Sequence, residues 1–298
     1  MEFPVWLGSV IAFIYGTAIG SFLNVCIYRI PAEQSIVTPP SHCPKCDNRL
    51  KGIDLVPLFS FLLLGRKCRY CGEPISWRYF TVELITGLLF VGTYLRHGYG
   101  IDAIAYALFI CALLIAFFVD LDHFIIPDQV VIFGLILGAA KDIAHIVAGD
   151  PVLLHIPTAS GMSIPMLPSI AGAVICAGVF YLVAYIGYFV FRPRGKSDEA
   201  EEEEYGGALG GGDINLAAAV GAVLGVVPAL VSFFIAVVVG SVVGITYLVL
   251  KSRAEKKGVP WRTEIPFGPH MVIGALTMIL AAPQVGAFWS WWVGVITP

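Results

Sequence analysis

Charge is the scarcest thing in this sequence. Only 13% of its 298 residues are Asp, Glu, Lys or Arg, against 58% hydrophobic residues and a mean hydropathy of +0.84. Soluble domains carry roughly 25% charged residues, so most of this chain is expected to face lipid. A basic excess is missing too. The formal net charge of -3 and pI near 6.1 exclude a nucleic-acid binder, which needs a positive face to meet phosphates. No glycine-rich nucleotide fingerprint follows a predicted strand. No paired repeat with helices broken at mid-span points to a transporter. Cysteine is sparse as well, with seven in the chain. Cys26, Cys111 and Cys176 stand alone in apolar runs and read as small apolar residues, which leaves Cys43/Cys46 and Cys68/Cys71 as two close pairs.

What is abundant is long apolar stretches. A hydrocarbon core about 30 Å thick requires roughly 20 apolar residues per helix. Eight runs qualify as candidates: 5–28, 80–95, 101–119, 129–148, 168–191, 214–228, 230–250 and 269–292, the sixth short and the last interrupted by Pro283. The first is longer than a signal peptide's apolar core and has no small-residue cleavage site after it, so it is expected to be retained. Alternation then gathers 29–79, 120–128, 192–213 and 251–268 on one face, where 16 of the 18 Lys and Arg residues fall; Arg96 and Lys141 lie at the other. The positive-inside rule makes the crowded face cytoplasmic and puts both termini outside. Trp289, Trp291 and Trp292 suit an aromatic belt at the outer interface. The expected fold is an all-α polytopic membrane protein of about eight transmembrane helices. It divides into a first helix (1–28), a four-cysteine insert (29–79) and a multi-helix membrane domain (80–298).

The insert carries C-x2-C-x21-C-x2-C: Cys43, Cys46, Cys68 and Cys71. Four thiolates in two knuckles can close a tetrahedral zinc site, and some fifty residues have too little core to fold unaided. Redox pairs or disulfides are the alternative, but a reducing face and the lack of a thioredoxin-like strand–helix context disfavour them. A full sulfur shell leaves no open coordination position, so the zinc would be structural.

Carboxylates sit where charge is expensive. The third run ends in Asp120-Leu121-Asp122-His123 and is followed by Pro127-Asp128; the sixth opens with Gly210-Gly211-Gly212-Asp213. An aspartate buried in a span is a functional candidate. Asp128 suits the first turn of a helix. Asp122, two positions after Asp120, would point to nearly the opposite side of a continuing helix. The glycines before Asp213 permit the chain to enter the membrane edge unwound, with free backbone groups that could hold an extended peptide; a flexible linker is the plainer reading. Two carboxylates from different helices can share one proton, one acting as base on water and the other as acid.

Taken together, these segments resemble the type IV prepilin peptidases, within the GxGD intramembrane aspartyl proteases. The resemblance runs almost end to end. It is carried by Gly20-Ser21-Phe22-Leu23-Asn24-Val25 with Tyr28-Arg29-Ile30-Pro31, by the four cysteines, by Ile75-Ser76-Trp77-Arg78-Tyr79 with Val82-Glu83-Leu84, by Asp120 to Asp128, by Gly210 to Asp213, and by Ile265-Pro266-Phe267-Gly268-Pro269. It implies that Asp120 and Asp213 are the catalytic pair. It also implies that the cysteine insert is a zinc-bearing cytoplasmic domain associated with methyl transfer from S-adenosylmethionine. Many members of that family carry a Lys two positions after the GxGD aspartate. This chain has Asn215, which alters the electrostatics around Asp213 or the way substrate is held.

The implied substrates are type IV prepilins or pseudopilins, with a short basic leader ending in Gly before an apolar helix. The cut falls at the cytoplasmic edge of the inner membrane, and the newly exposed amine is methylated. The acidic run Asp198 to Glu204 is expected to attract the basic leader, against the plainer reading of a solvated charge run. Gly210, Gly211 and Gly212 are candidates for substrate contact, and Glu83 for orienting the amine. The competing reading is a transporter or scaffold with a structural zinc knuckle. It gives no reason for Asp120 and Asp213.

Overall fold

The computed structural model describes residues 4–150, 152–157, 163–191, 210–255 and 266–296. All eight apolar runs fall on α-helices. These are α1 (Val5–Arg29), α3 (Trp77–His97), α4 (Ile101–His123), α5 (Asp128–Ala148), α6 (Pro168–Phe191), α7 (Gly211–Leu224), α8 (Val226–Glu255) and α9 (Gly268–Ile296), with a single-turn α2 (Phe59–Leu63) inside the insert. Six of them, α1, α4, α5, α6, α8 and α9, are long and apolar enough to cross a membrane. The protein is therefore a multi-pass membrane protein, and α3 and α7 fall outside that group. α7 is apolar but has only 14 residues.

Two boundaries differ from expectation. The turn between the sixth and seventh runs lies at Gly225, because Gly225 takes a positive φ of 81° and ends α7 there. Pro228 then falls in the first turn of α8, where a missing N–H costs nothing. In α9 the break expected at Pro283 appears as a kink at Ala281, within the turn that the proline ring crowds. The strands Leu154–Pro157 and Ser163–Met166, which the apolar periodicity does not signal, form an antiparallel pair between α5 and α6.

The chain forms two compact units, Met1–Val119 and Asp120–Pro298. In the first, α1 packs along α3 through small residues. A Cβ at Gly16 would stand 2.8 Å from the Gly87 Cα, and one at Gly20 would stand 2.8 Å from the Glu83 Cα. Lipid gives no hydrophobic push between helices, so backbones must approach closely to gain dispersion contact. The buried Asn24 amide is satisfied by the Gly20 and Tyr79 carbonyls at 3.3 and 3.2 Å. Arg29, buried at the end of α1, donates to the Ser35 and Pro39 carbonyls at 2.9 and 2.8 Å and ties down the start of the insert.

In the second unit α7 is the central helix. It packs against α5, α6 and α8, and from Leu216 to Leu224 only Ala218 is not fully buried. Its crossing with α6 is glycine on glycine. A Cβ at Gly172 would fall into the Gly221 carbonyl, and a Cβ at Gly221 into the Gly172 carbonyl. On the other side Gly138 of α5 meets the next residue, and a Cβ there would lie 2.5 Å from the Ala222 carbonyl oxygen. Neighbouring polar residues of α5 fasten the two partners. Lys141 donates to the Val223 carbonyl at the end of α7. Buried Asp142 accepts from the Ser169 N–H at the start of α6 at 2.8 Å. Both contacts place a charge against the helix-dipole end of opposite sign.

Candidate functional site

Asp120 lies in the last turn of α4 and is 5% exposed. A buried carboxylate normally finds partners for both oxygens, yet its Oδ2 has none among the described residues. What faces it is the start of α9. The Gly268 N–H is directed at the carboxylate, and a Cβ on Gly268 would stand 2.5 Å from Oδ2. Glycine is required there because any side chain would displace the carboxylate. His270, two residues further on and buried, also bears electrostatically on Asp120.

Asp213 comes from α7, in its first turn and half-buried, where the positive end of the helix dipole favours an anion. It lies within electrostatic range of Asp120. Ile126 packs between the starts of α7 and α9: a Cβ on Gly212 would contact the Ile126 Cβ at 3.3 Å, and one on Gly268 would contact its Cδ1 at 3.4 Å. Asp122, by contrast, is exposed, as the two-residue offset from Asp120 predicts. Asp128 opens α5 behind Pro127.

The glycines before Asp213 are not unwound. Gly210 is the N-cap, extended at φ -68° and ψ 145°, and Gly211 and Gly212 are already helical. None of the three uses the positive φ that glycine alone tolerates. Close approach concerns one of them: Gly212 leaves room for Ile126, whereas a Cβ at Gly211 would meet nothing within 4 Å. The first-turn N–H groups of Gly211 and Gly212 precede the helical ladder, and the Asp213 N–H donates to the Gly210 carbonyl at 3.0 Å. The acidic run Asp198 to Glu204 lies outside the described residues.

The four cysteines converge. The Sγ atoms of Cys43, Cys46, Cys68 and Cys71 all lie within 4.8 Å of one another, and Cys43 and Cys71 are 3.9 Å apart. Zinc–sulfur bonds of about 2.3 Å in a tetrahedron give sulfur–sulfur edges of about 3.8 Å, so the cluster fits a metal ion of that size. Each knuckle is closed by the backbone: the Asp47 N–H donates to the Cys43 carbonyl and the Gly72 N–H to the Cys68 carbonyl, both at 2.9 Å. Hydrogen bonds from the backbone and side-chain amides of Asn48 draw the Cys46 thiol down to about 7. Cys71 goes the other way. The Glu73 N–H pulls it down, but desolvation and the three neighbouring sulfurs push it up to about 12. Four such groups resist ionising together, and a dication removes the conflict. Asp54 is fixed beside them by Arg69, the Tyr70 hydroxyl and the Lys51 N–H, with Arg69 foremost in holding its carboxyl below the usual range.

Of residues 30–76 only Cys43, Phe61 and Cys68 are buried, so two of the insert's three buried residues are cluster cysteines. Stripping the metal with a chelator is therefore expected to open the insert and leave the membrane helices folded. Structural zinc supplies on the order of 10 kcal/mol to small domains of this kind. Limited proteolysis across 41–75, alongside an unchanged helical circular dichroism signal, would register it. Equal protease resistance with and without metal would contradict it.

Glu83 is buried in α3, where its Oε2 accepts from the Leu58 N–H at 2.8 Å. Leu58 stands at a positive φ of 63° just before α2, so Glu83 anchors a strained turn of the insert. That anchoring accounts for its burial.

Comparison with known proteins agrees along the chain. The family model described as the bacterial peptidase A24 N-terminal domain matches residues 14–97, and that of the type IV leader peptidase family matches residues 107–245. The chain is similar to proteins named prepilin leader peptidase/N-methyltransferase. One from Myxococcus xanthus is 30% identical, across 93% of this chain and 91% of that protein. One from Bacillus subtilis is 31% identical, across 94% and 96%. One from Aeromonas hydrophila is 30% identical, across 92% and 91%. No solved structure matches the chain. His270 is the residue that sequence reasoning passes over, because a lone His after Phe-Gly-Pro carries no spacing signal.

Proposed function

This chain belongs to the type IV leader peptidase family, and from that membership we propose that it cleaves the leader from type IV prepilins or pseudopilins and methylates the new N-terminus, with Asp120 and Asp213 as the cleaving pair. The observation that supports this assignment most is the Asp120 Oδ2. It is buried and without a partner among the described residues, beside a helix start that leaves no room for a side chain and within electrostatic range of a second aspartate. Structural carboxylates have both oxygens tied down; here one oxygen is left open.

With one proton shared between them, the ionised carboxylate takes a proton from water as its oxygen attacks the Gly carbonyl carbon. The protonated one gives its proton to the carbonyl oxygen. Collapse of the tetrahedral diol breaks the C–N bond. The leaving amine receives the proton held by the base while one diol hydroxyl gives its proton to the other carboxylate, and the dyad returns to a single shared proton. S-adenosylmethionine, when bound, supplies the methyl group for that amine. Cys43, Cys46, Cys68 and Cys71 would hold zinc as a fold-closing ion outside these steps.

The reading places the pair at the cytoplasmic edge of the inner membrane with both termini outside, on the strength of the Lys and Arg asymmetry. A dyad at the end of a span reaches a leader junction without drawing the substrate's helix out of lipid. Gly210 to Gly212, at the open N-terminal turn of α7, are assigned to contact the extended peptide beside the bond.

Intact mass of a Gly-Phe prepilin, incubated with the protein and S-adenosylmethionine, tests the proposal. Loss of the leader plus one methyl group is the expected product. Cleavage without mass gain would confine the protein to proteolysis, and an uncut substrate with folded protein would refute the reading.

A further inference from the structure

The insert is not uniform. Around its cysteines it is polar, but Val56-Pro57-Leu58-Phe59-Ser60-Phe61-Leu62-Leu63-Leu64 is an apolar run that neither the spans nor the cysteine cluster requires. Its helix α2 is fixed to α3 on one side. Phe61 is buried against Trp77 and Phe80, with ring centroids 5.2 and 5.3 Å away, and the Glu83 carboxylate holds the Leu58 N–H at 2.8 Å. The other side is bare: Phe59, Leu62 and Leu63 are 67%, 60% and 84% exposed. Neighbouring large apolar side chains left uncovered mark an interaction surface.

α1 sets the depth of that surface. It runs antiparallel to α3, with the Asn24 amide bonded to the Tyr79 carbonyl and Gly20 against Glu83. Asn24 and Gly20 stand five and nine residues before Arg29, about 8 and 13 Å from the end of a helix long enough to cross the membrane. Phe80 and Glu83, which grip α2, fall inside that stretch. The bare face of α2 therefore lies level with the last turns of a membrane-spanning helix, continuous with the surface that α1 and α3 offer to lipid. The backbone suits that place. A chain in contact with lipid must satisfy its polar groups internally, and the N–H groups of Ser60, Leu62, Leu64 and Arg66 donate to the Val56, Leu58, Ser60 and Phe61 carbonyls at 2.9 to 3.1 Å. The run ends in Gly65-Arg66-Lys67, with the Arg66 guanidinium 5.7 Å from the centre of the half-exposed Trp77 ring. A cation on an amphipathic aromatic is typical of the headgroup level.

We propose that α2 is a lipid anchor lying in the membrane surface. Phe59, Leu62 and Leu63 enter the acyl chains of the leaflet at the Arg29 end of α1, and Arg66 and Lys67 meet its phosphate headgroups. Phe61 and Glu83 aim the anchor by fastening its other side to α3. The insert is thereby held to the bilayer between its two flanking helices as well as through them. Nothing in this depends on the substrate that the protein cuts.

Two experiments on the full chain, in vesicles of phosphatidylethanolamine and phosphatidylglycerol, decide it. In the first, a benzophenone side chain is introduced in turn at Phe59, at Leu63 and, as a control, at the exposed Lys45 of the first cysteine knuckle. Intact mass after irradiation reads what each position touches. Addition of one phospholipid mass at 59 and 63, and none at 45, is the expected result. A cross-linked dimer at 59 or 63 would assign the face to a second copy of this chain and overturn the proposal. So would the absence of a lipid adduct there, or lipid capture at Lys45 to the same extent.

The second uses Leu63→Trp, with the wild-type signal subtracted to remove the native tryptophans and an unchanged helical circular dichroism spectrum to show the fold intact. Phospholipids brominated on the acyl chain are expected to remove most of the added emission, and iodide in the water little of it. The reverse order, with iodide the stronger quencher, places α2 in water and overturns the proposal.

Discussion

Asp120→Asn and Asp213→Asn are each expected to leave prepilin uncut, with kcat lower by about 10³-fold or more in either variant. An amide has the shape of the carboxyl group but can neither take a proton from water nor return one to the leaving amine. The double variant should be scarcely worse than either single one, because members of a shared-proton pair act as a unit. The fold should not suffer. Asp120 carries a buried oxygen with no partner among the described residues, so removing its charge relieves desolvation, and the melting temperature is expected to stay level or rise. Methylation of a pre-cleaved peptide is the internal control, since no aspartate step lies between the free amine and the methyl group. Intact mass of both substrate forms measures all of this. Cleavage within tenfold of wild type in either variant would remove that residue from the chemistry.

The second large effect is expected at the crossing of α6 and α7. Gly172→Ala and Gly221→Ala each drive a methyl group into a backbone carbonyl of the facing helix. A carbonyl cannot rotate aside as a side chain can. Overpacking of well-filled sites costs about 1–3 kcal/mol, and a backbone obstruction on both sides of one crossing puts these variants at the upper end or beyond. Gly178→Ala is the matched control on α6. A Cβ there meets nothing within 4 Å, and gaining helix propensity should hold or raise stability by up to about 1 kcal/mol. Melting in detergent, with cleavage assayed alongside, separates the two sites. If Gly178→Ala proved as damaging as Gly172→Ala, the crossing would not be the cause.

The spans are legible in the sequence because lipid exposure imposes composition over twenty residues at a time, and the cysteine cluster because a metal imposes residue type and short spacing. Local constraints of that kind survive without tertiary knowledge. Gly210 to Gly212 are less transparent. Glycine licenses both an unwound backbone and a close approach; the helix shows that the first is not used, and the position of Ile126 shows the second at Gly212. Gly172 and Gly221 are opaque for the same reason, since each looks like an ordinary small residue in an apolar helix until its partner is known. His270 fits against Gly240 of α8, far from it along the chain, and no pattern in the sequence joins the two. The asymmetry of Lys and Arg gives Lys141 a side, whereas its bond to Val223 gives it a task.

That task bears on the lipid itself. Fourteen helical residues extend about 21 Å, some 9 Å less than the hydrocarbon they sit in. If the Asp213 end of α7 lies at the membrane edge as proposed, the peptide groups around Gly225, where α7 gives way to α8, end inside the slab, where an unsatisfied carbonyl costs several kcal/mol. Lys141 supplies a donor there to the Val223 carbonyl, and an ammonium at that depth would draw headgroups or water inward and thin the leaflet locally. Acyl-chain length thus becomes a variable acting on the helix that carries Asp213. Long-chain lipids should strain the Gly225 turn and short-chain lipids relax it, while the six longer helices absorb the same change by tilting.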